Sequence, residues 1–510
     1  MNCLPWLWPW KRLDDQYSKI PSMPQYPLIG SYPSFKDFLA QDTVNLYFRK
    51  CHKELGPVIE HNLFGNKNVS VADPDISKQI LSGPHFGRHD FLIANSRDLT
   101  EFALFGMSTG PVWKSHRKAI VAGLGPQFVK KSYTASIELM QDFVRLLNLK
   151  INNDSGSSSG ETEINIRTYL SAVTLDIIMR VACNTDIHCL ETCDEEGNDD
   201  ATAAADVRKS QVRVAETDSE EYFAALRVNI DKISQVLFTR VFVPPFLHDW
   251  VKVGKKRMKP LADFFQGMAA SVLEPRKGFG AAPDRDLVSI LLGEEKDGTR
   301  KFSDKEASDE LVALLLAGHE TTANTLTNVF LRVTQDARVL KRLQEEIDGK
   351  LGPDEDPLLQ DLAEFKYLDN VFRETQRVHP VVMGVGRLAV EDTEFETHDG
   401  KYKIQKGTEV FVSIQGMMYS KELWGPDVDV FNPDRWDNPV NEAAFLPFGG
   451  GPHKCPGMKM AVMESKVSLI KLFQNFNFEL VEGQDLVHRD GVTVHLKDGL
   501  RLRVRRRGEQ

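Results

Sequence analysis

Hydrophobic and polar positions along the chain predict a few short strands and many helices. Val58 to Ile59 and Val69 to Val71 are short runs of β-branched residues, a pattern typical of strands. A third strand-like run lies far downstream, near Glu409 to Ile414. We expect these runs to share one small sheet and most of the remaining chain to be helical. The pattern therefore predicts a mainly α fold with a small β subdomain.

The longest predicted helix covers about residues 303 to 335. Five aliphatic residues between 311 and 316 give its middle a nearly all-round apolar surface, so this helix should be buried. The segment AGHETT, residues 317 to 322, then brings a glycine, a carboxylate and two hydroxyls into the same helix. Gly318 costs about 1 kcal/mol relative to alanine, and burial of Glu320 without partners would cost more. The patch therefore predicts hydrogen-bond partners, water or a cavity beside it.

A glycine-rich loop precedes another predicted helix near the end of the chain. Residues 448 to 457 spell FGGGPHKCPG, and a helical pattern follows from about Met458 to Phe473. Cys455 is thus expected at a helix entrance, where amide N–H groups and the helix dipole favour a thiolate over a thiol. Pro456 suits the first helical position, and Phe448 could cover the sulfur. A chance match to this set of spacings is expected in roughly 10⁻⁴ of chains, so a bystander cysteine is the weaker interpretation.

The length of the chain and the continuity of its patterns predict one catalytic domain over residues 21–510. With 510 residues and 41% hydrophobic content, the chain can bury a large core. Polar stretches at 152–160 and 194–206 are expected to be surface loops, because helical patterns resume on both sides of each. We find no internal repeat.

Charge and cysteine content exclude two classes of protein. A formal net charge of −10 argues against a nucleic-acid binder. Six unevenly spaced cysteines in so long a chain do not make a disulfide framework, which indicates a reducing, cytosol-facing environment. Cys183, His188, Cys189 and Cys193 lack the paired CxxC of structural zinc sites, so a helix end with ordinary buried thiols is the preferred interpretation.

The N-terminal segment, residues 1–20, is expected to associate with a membrane surface or to fray. Trp6, Trp8 and Trp10 are followed by Lys11 and Arg12. This apolar stretch is too short to span a bilayer, which takes about 20 apolar residues. Tryptophans beside basic residues suit a bilayer interface. A frayed tail and a truncated anchor also fit the sequence.

The cysteine loop resembles that of the cytochrome P-450 superfamily, which has the form FxxGxRxCxG. The matching residues are Phe448, Gly451, Cys455 and Gly457. The resemblance implies a haem b cofactor whose iron takes the Cys455 thiolate as axial ligand. His453 departs from the pattern, because the family usually has an arginine there to hold a haem propionate and an imidazole is only partly charged at neutral pH.

AGHETT resembles the central-helix motif of the same family, (A/G)GxxT with an acid before the threonine. A threonine that bonds back to the carbonyl one turn earlier loosens the helix and opens a notch, which dioxygen could occupy. Oxygen activation on a thiolate-ligated haem needs protons, and an alcohol beside a carboxylate can relay them. Thr321 and Glu320 fit these catalytic roles, and His319 is expected to face away from the iron.

Three further residues are expected to support the cofactor from behind. Glu374 and Arg377, in ETQR, are three apart and so share one helix face. An ExxR pair occurs by chance roughly twice in a chain of this length, so alone it means little. Arg435, in FNPDRW, completes the buried ion network to which the resemblance assigns a structural role.

The haem propionates need cationic partners, for which arginine is the natural choice. The resemblance implies that Trp113 and Arg117, in WKSHR, and Arg387, just after the ExxR helix, bind the cofactor together with the cysteine loop. An ordinary sheet-edge arginine is the alternative for Arg387.

The function implied by the resemblance is hydroxylation or epoxidation of a hydrophobic small molecule with dioxygen and two electrons. Apolar segments at 223–226 and 241–246 indicate a hydrophobic substrate site. The sequence contains no flavin or nicotinamide fingerprint, so an NADPH-dependent flavoprotein reductase or a ferredoxin is expected to supply electrons. Lys454, Lys459 and Lys466, with Arg117 and Lys118 nearby, predict a positive docking face.

Two other functions also fit parts of the sequence. A haem-thiolate isomerase or dehydratase acts on peroxides without external electrons, but such relatives often lose the distal threonine, and Thr321 is present. A haem sensor or carrier has no need of the acid-alcohol pair, and thiolate ligation favours O–O cleavage over oxygen storage. The expected location is the cytosolic face of the endoplasmic reticulum membrane.

Overall fold

A computed structural model describes residues 20–26, 30–63, 66–88, 95–154, 160–191, 193, 219–243, 247–277, 286–293, 300–397 and 400–508. The predicted mainly α fold with a small β subdomain is confirmed. In the described residues the helices are α1 (Tyr32–Ala40), α2 (Val44–Leu55), α3 (Pro74–Ser82), α4 (Pro111–Gly123), α5 (Pro126–Asp154), α6 (Ile166–Cys183), α7 (Ser219–Phe242), α8 (Lys255–Leu273), α9 (Leu287–Leu292), α10 (Asp304–Gln335), α11 (Ala337–Asp348), α12 (Lys366–Val378), α13 (Ile414–Met418), α14 (Lys421–Trp424) and α15 (Met458–Asn475).

The strands form small sheets at the edge of this helical body. They are β1 (Val58–Leu63), β2 (Asn66–Val71), β3 (Phe86–Arg88), β4 (Glu161–Asn165), β5 (Gly384–Ala389), β6 (Thr393–Thr397), β7 (Gly400–Ile404), β8 (Glu409–Ser413), β9 (Phe476–Leu480), β10 (His488–Arg489), β11 (His495–Leu496) and β12 (Arg501–Arg506). One sheet has the order β1-β2-β8-β5-β3, another β4-β12-β9, and β6-β7 and β10-β11 are hairpin-like pairs. The predicted pairing of the early strands with the run near Glu409 is confirmed, because β2 and β8 are parallel neighbours.

The predicted central helix is α10. Ser303 caps its N-terminus: its hydroxyl accepts from the Glu306 N–H, and the Glu306 carboxylate accepts from the Ser303 N–H. This capping box explains why the helix begins where the sequence indicated. Leu311, Val312 and Leu315 are buried in the main hydrophobic core, and α10 packs against α6 and α8. The helix therefore crosses the interior of the protein as expected.

Three expectations about individual segments were wrong. Helix α5 continues through Asp154, so the loop predicted from residue 152 starts later, and residues 155–159 lie outside the described part. Pro456 does not occupy the first helical position of α15. It precedes Gly457, which is the N-cap, because the first hydrogen bond of that helix runs from the Ala461 N–H to the Gly457 carbonyl. Lys466 is buried: its ammonium pairs with Asp369 at 2.8 Å.

The cysteines near residue 183 lie at a helix end, as preferred. Helix α6 ends at Cys183, and the Asp176 carboxylate accepts from the N–H groups of Cys189 and Leu190 at 2.8 and 2.9 Å. Cys183 and Cys189 are buried. In the described part of the chain no group of three potential ligands could hold a metal ion.

The N-terminal prediction concerns residues that are almost all outside the described part, which starts at Ile20, a buried residue. Among the helices described here, none combines the length and the apolar character needed to cross a bilayer. Of the apolar segments expected near the substrate, Leu226 and Val243 are buried, whereas residues 244–246 lie outside the described ranges.

Candidate active site

Cys455 lies in the turn that leads into α15. Its N–H donates to the Phe448 carbonyl at 2.9 Å, which closes the glycine-rich loop. Solvent reaches the side chain although protein surrounds most of it. Burial raises the pKa of the thiol, while the N–H groups of Gly457 and Met458 and the charge of Arg117 act to lower it. The sulfur is thus presented to an accessible space with donors that favour a thiolate.

Gly451 allows the cysteine loop to pack against α3. Its φ is +65°, and a Cβ there would lie 2.0 Å from the Leu81 carbonyl oxygen, so no other residue fits without movement. Gly457 is different, because a Cβ there would lie 4.0 Å from the Cys455 sulfur. Phe448 is half-buried at the start of the loop. The loop therefore packs against α3 on one side, while the side that carries the Cys455 sulfur remains accessible.

The middle of α10 has one accessible strip in an otherwise buried helix. Ala317 is exposed, and Leu314 and Thr321, which share its face, are half-buried. The Thr321 hydroxyl donates to the Ala317 carbonyl at 2.8 Å, the backward bond that the sequence predicted. Gly318 faces the other way: a Cβ there would lie 3.1 Å from Cγ1 of Ile178, so the glycine lets α6 approach. The notch is thus bordered by Ala317 and Thr321.

Glu320 turns away from this strip and is buried. Its carboxylate accepts from the Thr493 hydroxyl and bonds to the Ser234 side chain, not to Thr321. Burial raises the pKa of Glu320 to about 7, although both hydroxyls act to lower it. The acid therefore titrates near neutral pH, as a group that takes up and releases protons should. His319 is also buried, and its Nδ1 contacts the Leu315 carbonyl.

The structure brings Glu374, Arg377 and Arg435 together. The Arg377 guanidinium donates to both carboxylate oxygens of Glu374, at 2.7 and 2.9 Å, and both residues are fully buried. Arg435 approaches Glu374 at 3.5 Å, and the Trp436 indole N–H donates to it at 3.0 Å. The remaining Arg377 donors reach backbone carbonyls, one of them that of Met418 at 3.0 Å. All charges in this network are satisfied by the chain itself.

A second group of arginines is not neutralised in this way. Arg88 and Arg387 are neighbours on β3 and β5, and Arg117 on α4 donates to the Lys454 carbonyl. Burial lowers the pKa of Arg387 to about 10, and burial with the charge of Arg387 lowers that of Arg88 to about 9, so both stay cationic at pH 7. Among the residues that the structure describes, no carboxylate forms an ion pair with any of the three guanidinium groups.

His453 and Trp113 lie against the same group of arginines. The His453 ring packs on the Trp113 ring with centroids 4.0 Å apart, and its Nε2 lies 3.0 Å from the Thr109 hydroxyl. Burial, followed by the charges of the three arginines, lowers the pKa of His453 to about 3, so its ring is neutral. The Trp113 indole N–H and the Arg88 guanidinium both donate to the Leu104 carbonyl. The Leu104 carbonyl oxygen therefore accepts hydrogen bonds from both side chains.

These residues fit a flat cofactor with a metal centre and carboxylate groups. The accessible Cys455 sulfur can hold the metal, and the uncompensated arginines can neutralise two carboxylates. The sequence did not point to Arg88, because β3 has only three residues and its pairing with Arg387 spans the chain. It did not point to Thr109 or Thr493 either, since neither lies in a recognisable motif.

A sulfur ligand beside anchors for a dicarboxylate defines the haem-thiolate class of proteins. The chain belongs to the cytochrome P450 family, whose model matches residues 20–498. It is accordingly an oxidoreductase of the monooxygenase kind with a haem cofactor, and its mainly α fold is that of the family.

The chain is similar to curated proteins from plants and animals. It is 30% identical over 458 residues to protein LUTEIN DEFICIENT 5, chloroplastic, of Arabidopsis thaliana, covering 87% of this chain and 71% of that protein. It is 25% identical over 477 residues to carotene epsilon-monooxygenase, chloroplastic, also of Arabidopsis thaliana, covering 90% and 81%. Cytochrome P450 3A28 of Bos taurus is 24% identical over 470 residues, covering 90% and 85%.

Proposed function

We propose that the protein hydroxylates a hydrophobic isoprenoid, using dioxygen, two external electrons and a haem b whose iron is bound by Cys455. The observation that carries this proposal is the accessible Cys455 side chain at the entrance of α15, with the N–H groups of Gly457 and Met458 directed at its sulfur. When bound, the haem supplies the activation of dioxygen. The protein residues described below position the cofactor and handle protons.

The cofactor-binding residues in this proposal are Trp113, Arg117, Arg387 and His453, with Arg88 added. The arginines supply charge for the two haem propionates. His453 replaces the usual arginine and acts as a neutral hydrogen-bond partner, held by the Trp113 ring and the Thr109 hydroxyl. Arg88 offers the guanidinium that position 453 lacks. Phe448, Gly451 and Gly457 shape the cysteine loop around the sulfur.

Thr321 and Glu320 are the proposed catalytic pair. The Thr321 hydroxyl borders the accessible strip of α10, where it can hold a water molecule and pass on a proton. Burial raises the pKa of Glu320 to about 7, so this acid can release and take up a proton near neutral pH. Rotation of its side chain from Thr493 towards the strip would carry a proton to Thr321.

The isoprenoid substrate class rests on the relatives. One of them is named for a carotene, and another for a deficiency in lutein. The accessible strip of α10 contains the apolar side chains of Leu314 and Ala317. A hydrocarbon-rich substrate suits such a surface.

The electron donor is proposed to be a separate flavoprotein reductase or ferredoxin. Lys114 and Lys118 on α4 and Lys454 and Lys459 near the cysteine loop are exposed, and Arg117 links the two segments through the Lys454 carbonyl. An acidic partner would be steered onto this face. The buried Lys466 does not belong to it.

Two locations within the cell are consistent with the proposed function. The sequence indicated the cytosolic face of the endoplasmic reticulum membrane, whereas two relatives carry the word chloroplastic in their names. Fractionation of the source cells, with the protein detected in the microsomal or the plastid fraction, decides between them and between the corresponding reductases.

The first test is the reduced carbon monoxide difference spectrum of the haem-loaded protein and of Cys455→Ser. We expect the band typical of a thiolate ligand in the wild type and its loss in the variant, with Cys51→Ser as the matched control for an unrelated buried cysteine. A histidine-type spectrum in the wild type would contradict the proposed ligand. A second test supplies a carotene, a reductase and isotopically heavy dioxygen. Absence of any oxygenated carotene would contradict the substrate class, and an oxygenated product without heavy oxygen would contradict the use of dioxygen.

A further inference from the structure

A chain of hydrogen bonds connects Glu320 to charged groups near the surface. Thr493 bonds to Glu320, and the Asn324 side-chain amide lies 3.1 Å from the Thr493 hydroxyl. Asn324 in turn lies 3.0 Å from Nε of Arg167, whose guanidinium also pairs with Asp231 at 3.1 Å. These residues come from α6, α7, α10 and the turn between β10 and β11. The fold therefore builds this hydrogen-bonded series from four separate segments.

We propose that Thr493, Asn324 and Arg167 are positioning residues that hold Glu320 as an ionised acceptor and thereby set the pH range in which it handles protons. This inference rests on the proposed function of Glu320 in the preceding section. It adds the residues that control that function and the direction of their effect.

The direction of each hydrogen bond follows from its donors. Arginine only donates, so the side-chain oxygen of Asn324 must face Arg167 and its NH₂ group must face Thr493. The Thr493 oxygen accepts from that NH₂ group, and its single hydrogen is then directed to Glu320. Every bond in the chain points from the Arg167 cation towards the Glu320 carboxylate. Such a chain favours the ionised form of the acid.

The charged and titratable groups around Glu320 act in both directions. Asp231 on α7 raises the pKa of Glu320, and Arg167 on α6 lowers it. Burial raises the pKa of Asp231, but Arg167, His495 and His319 together lower it below its ordinary value, so Asp231 is an anion. His319 and His495 have pKa values lowered to about 4 by burial and are neutral near pH 7. Substitutions in the hydrogen-bonded series should therefore change the pKa of Glu320.

Thr493 is held firmly enough for this role. The Val492 N–H donates to the Ser234 hydroxyl at 2.9 Å, and a Cβ on Gly491 would lie 2.7 Å from that oxygen. The turn therefore packs closely on α7. The exposed fraction falls along the chain from 38% for the Asp231 side chain and 18% for Arg167 to 2% for Asn324. The chain thus leads from the protein surface to the buried acid.

The test is an infrared titration of protonated carboxyl groups in the full-length, haem-loaded protein. The difference between the wild type and Glu320→Gln isolates the Glu320 signal from that of other buried acids such as Asp490. Thr493→Val removes the Thr493 donor to Glu320, leaves that of Ser234 and keeps the volume of the side chain. A hydrogen bond to a charged group is worth about 1.5–3 kcal/mol, so we expect the midpoint to rise by about one pH unit or more.

Three variants make this result specific. Thr493→Ser retains the hydroxyl and should titrate like the wild type. Thr327→Val removes a buried hydroxyl of α10 that, among the described residues, bonds only to the Ala323 carbonyl, and should also leave the midpoint unchanged. Arg167→Gln removes the charge at the partly exposed end of the chain and should raise the midpoint even if Thr493→Val fails to fold.

A wild-type midpoint in both Thr493→Val and Arg167→Gln would overturn the proposal, as would an equal shift in Thr493→Ser. The pH profile of dioxygen consumption with a surrogate reductase should move with the infrared midpoint, and a profile that stays in place would overturn the assignment to proton handling. The titration needs no substrate. Loss of the thiolate spectrum would therefore refute the proposed function while leaving the titration result intact, and the reverse outcome would refute this inference alone.

Discussion

Two groups of arginines within this protein differ in what neutralises them. Arg377 donates to both oxygens of Glu374 and to backbone carbonyls, and both side chains are fully buried. Arg88 and Arg387 reach only carbonyl oxygens and form no ion pair with a carboxylate in the described part of the chain. A buried cation without a counter-charge is costly. The first group is therefore complete as folded, whereas the described residues give the second no directly paired anion, only the charge of Glu310 acting on Arg88.

The same contrast distinguishes two of the buried carboxylates, Glu374 and Glu320. Glu374 contacts two guanidinium groups and an indole N–H directly. Glu320 contacts hydroxyls, and its nearest guanidinium acts through Asn324. Two guanidinium groups therefore neutralise Glu374 directly, whereas no cation of the described residues pairs directly with Glu320. This difference in direct partners supports the proposed roles, structural for Glu374 and proton handling for Glu320.

The largest effect should come from breaking the complete network. Arg377→Ala leaves Glu374 buried without its main partner, and removal of one partner of a buried pair costs about 3–5 kcal/mol. We expect the free energy of unfolding to fall by that amount, measured by chemical denaturation. Arg373→Ala, on the same helix, removes a partly exposed pair with Glu442 and a contact with the Trp436 ring, and should cost about 1–2 kcal/mol. Equal losses in the two variants would contradict the contrast between the networks.

Glu320→Gln should change how stability depends on pH. The pKa of Glu320 is raised by burial to about 7 from its ordinary 4.5, so between these values the folded protein binds a proton that the unfolded chain does not. Stability is therefore lost as the pH rises through this window. The variant lacks this loss. Relative to the wild type it should gain about 3 kcal/mol between pH 4 and pH 8.

The measurement is the free energy of unfolding of both proteins at several pH values. Thr327→Val serves as the control, because it alters the same helix without removing a titratable group. A difference between Glu320→Gln and the wild type that stays constant from pH 4 to pH 8 would show that Glu320 keeps an ordinary pKa.

The incomplete group of arginines should respond in a different way. Arg88→Gln removes one cation from beside Arg387 and relieves repulsion, so the haem-free protein should not lose stability. A charge-assisted hydrogen bond to a propionate is worth about 1.5–3 kcal/mol, so haem should bind about tenfold more weakly or worse. Haem transfer to an excess of apomyoglobin measures this. Arg489→Gln, which breaks a pair with Asp42, is the control and should retain haem.

Local patterns in the sequence predicted the parts of the protein that local chemistry determines. The start of α10 follows from the Ser303 capping box, and the early strands follow from their β-branched residues. The position of Cys455 before α15 follows from the glycine-rich loop. In each case a few neighbouring residues decide the backbone conformation.

Contacts between distant segments could not be predicted in this way. Lys466 was expected on the surface, but its partners Asp369 and the Leu362 carbonyl lie about a hundred residues away, so the helical period alone did not show which face they cover. Thr493 is separated from Glu320 by 173 residues. Arg88 lies on a three-residue strand whose partner is β5. A single sequence carries no local signal for such pairings.

The smallest effect on stability, and the sharpest separation of stability from activity, should come from Thr321→Val. The hydroxyls of Thr321 and Thr325 make the same backward bond at 2.8 Å, and removal of either should change the free energy of unfolding by less than about 1 kcal/mol. Only Thr321 borders the accessible strip. Since positioned proton transfer contributes about 10²–10⁴-fold to a rate, Thr321→Val should slow turnover at least tenfold and divert electrons to hydrogen peroxide, measured as peroxide released per electron consumed. Thr325→Val should behave like the wild type in this assay. If both variants released peroxide equally, the defect would lie in the packing of α10, and the proposed proton path would lose its first member.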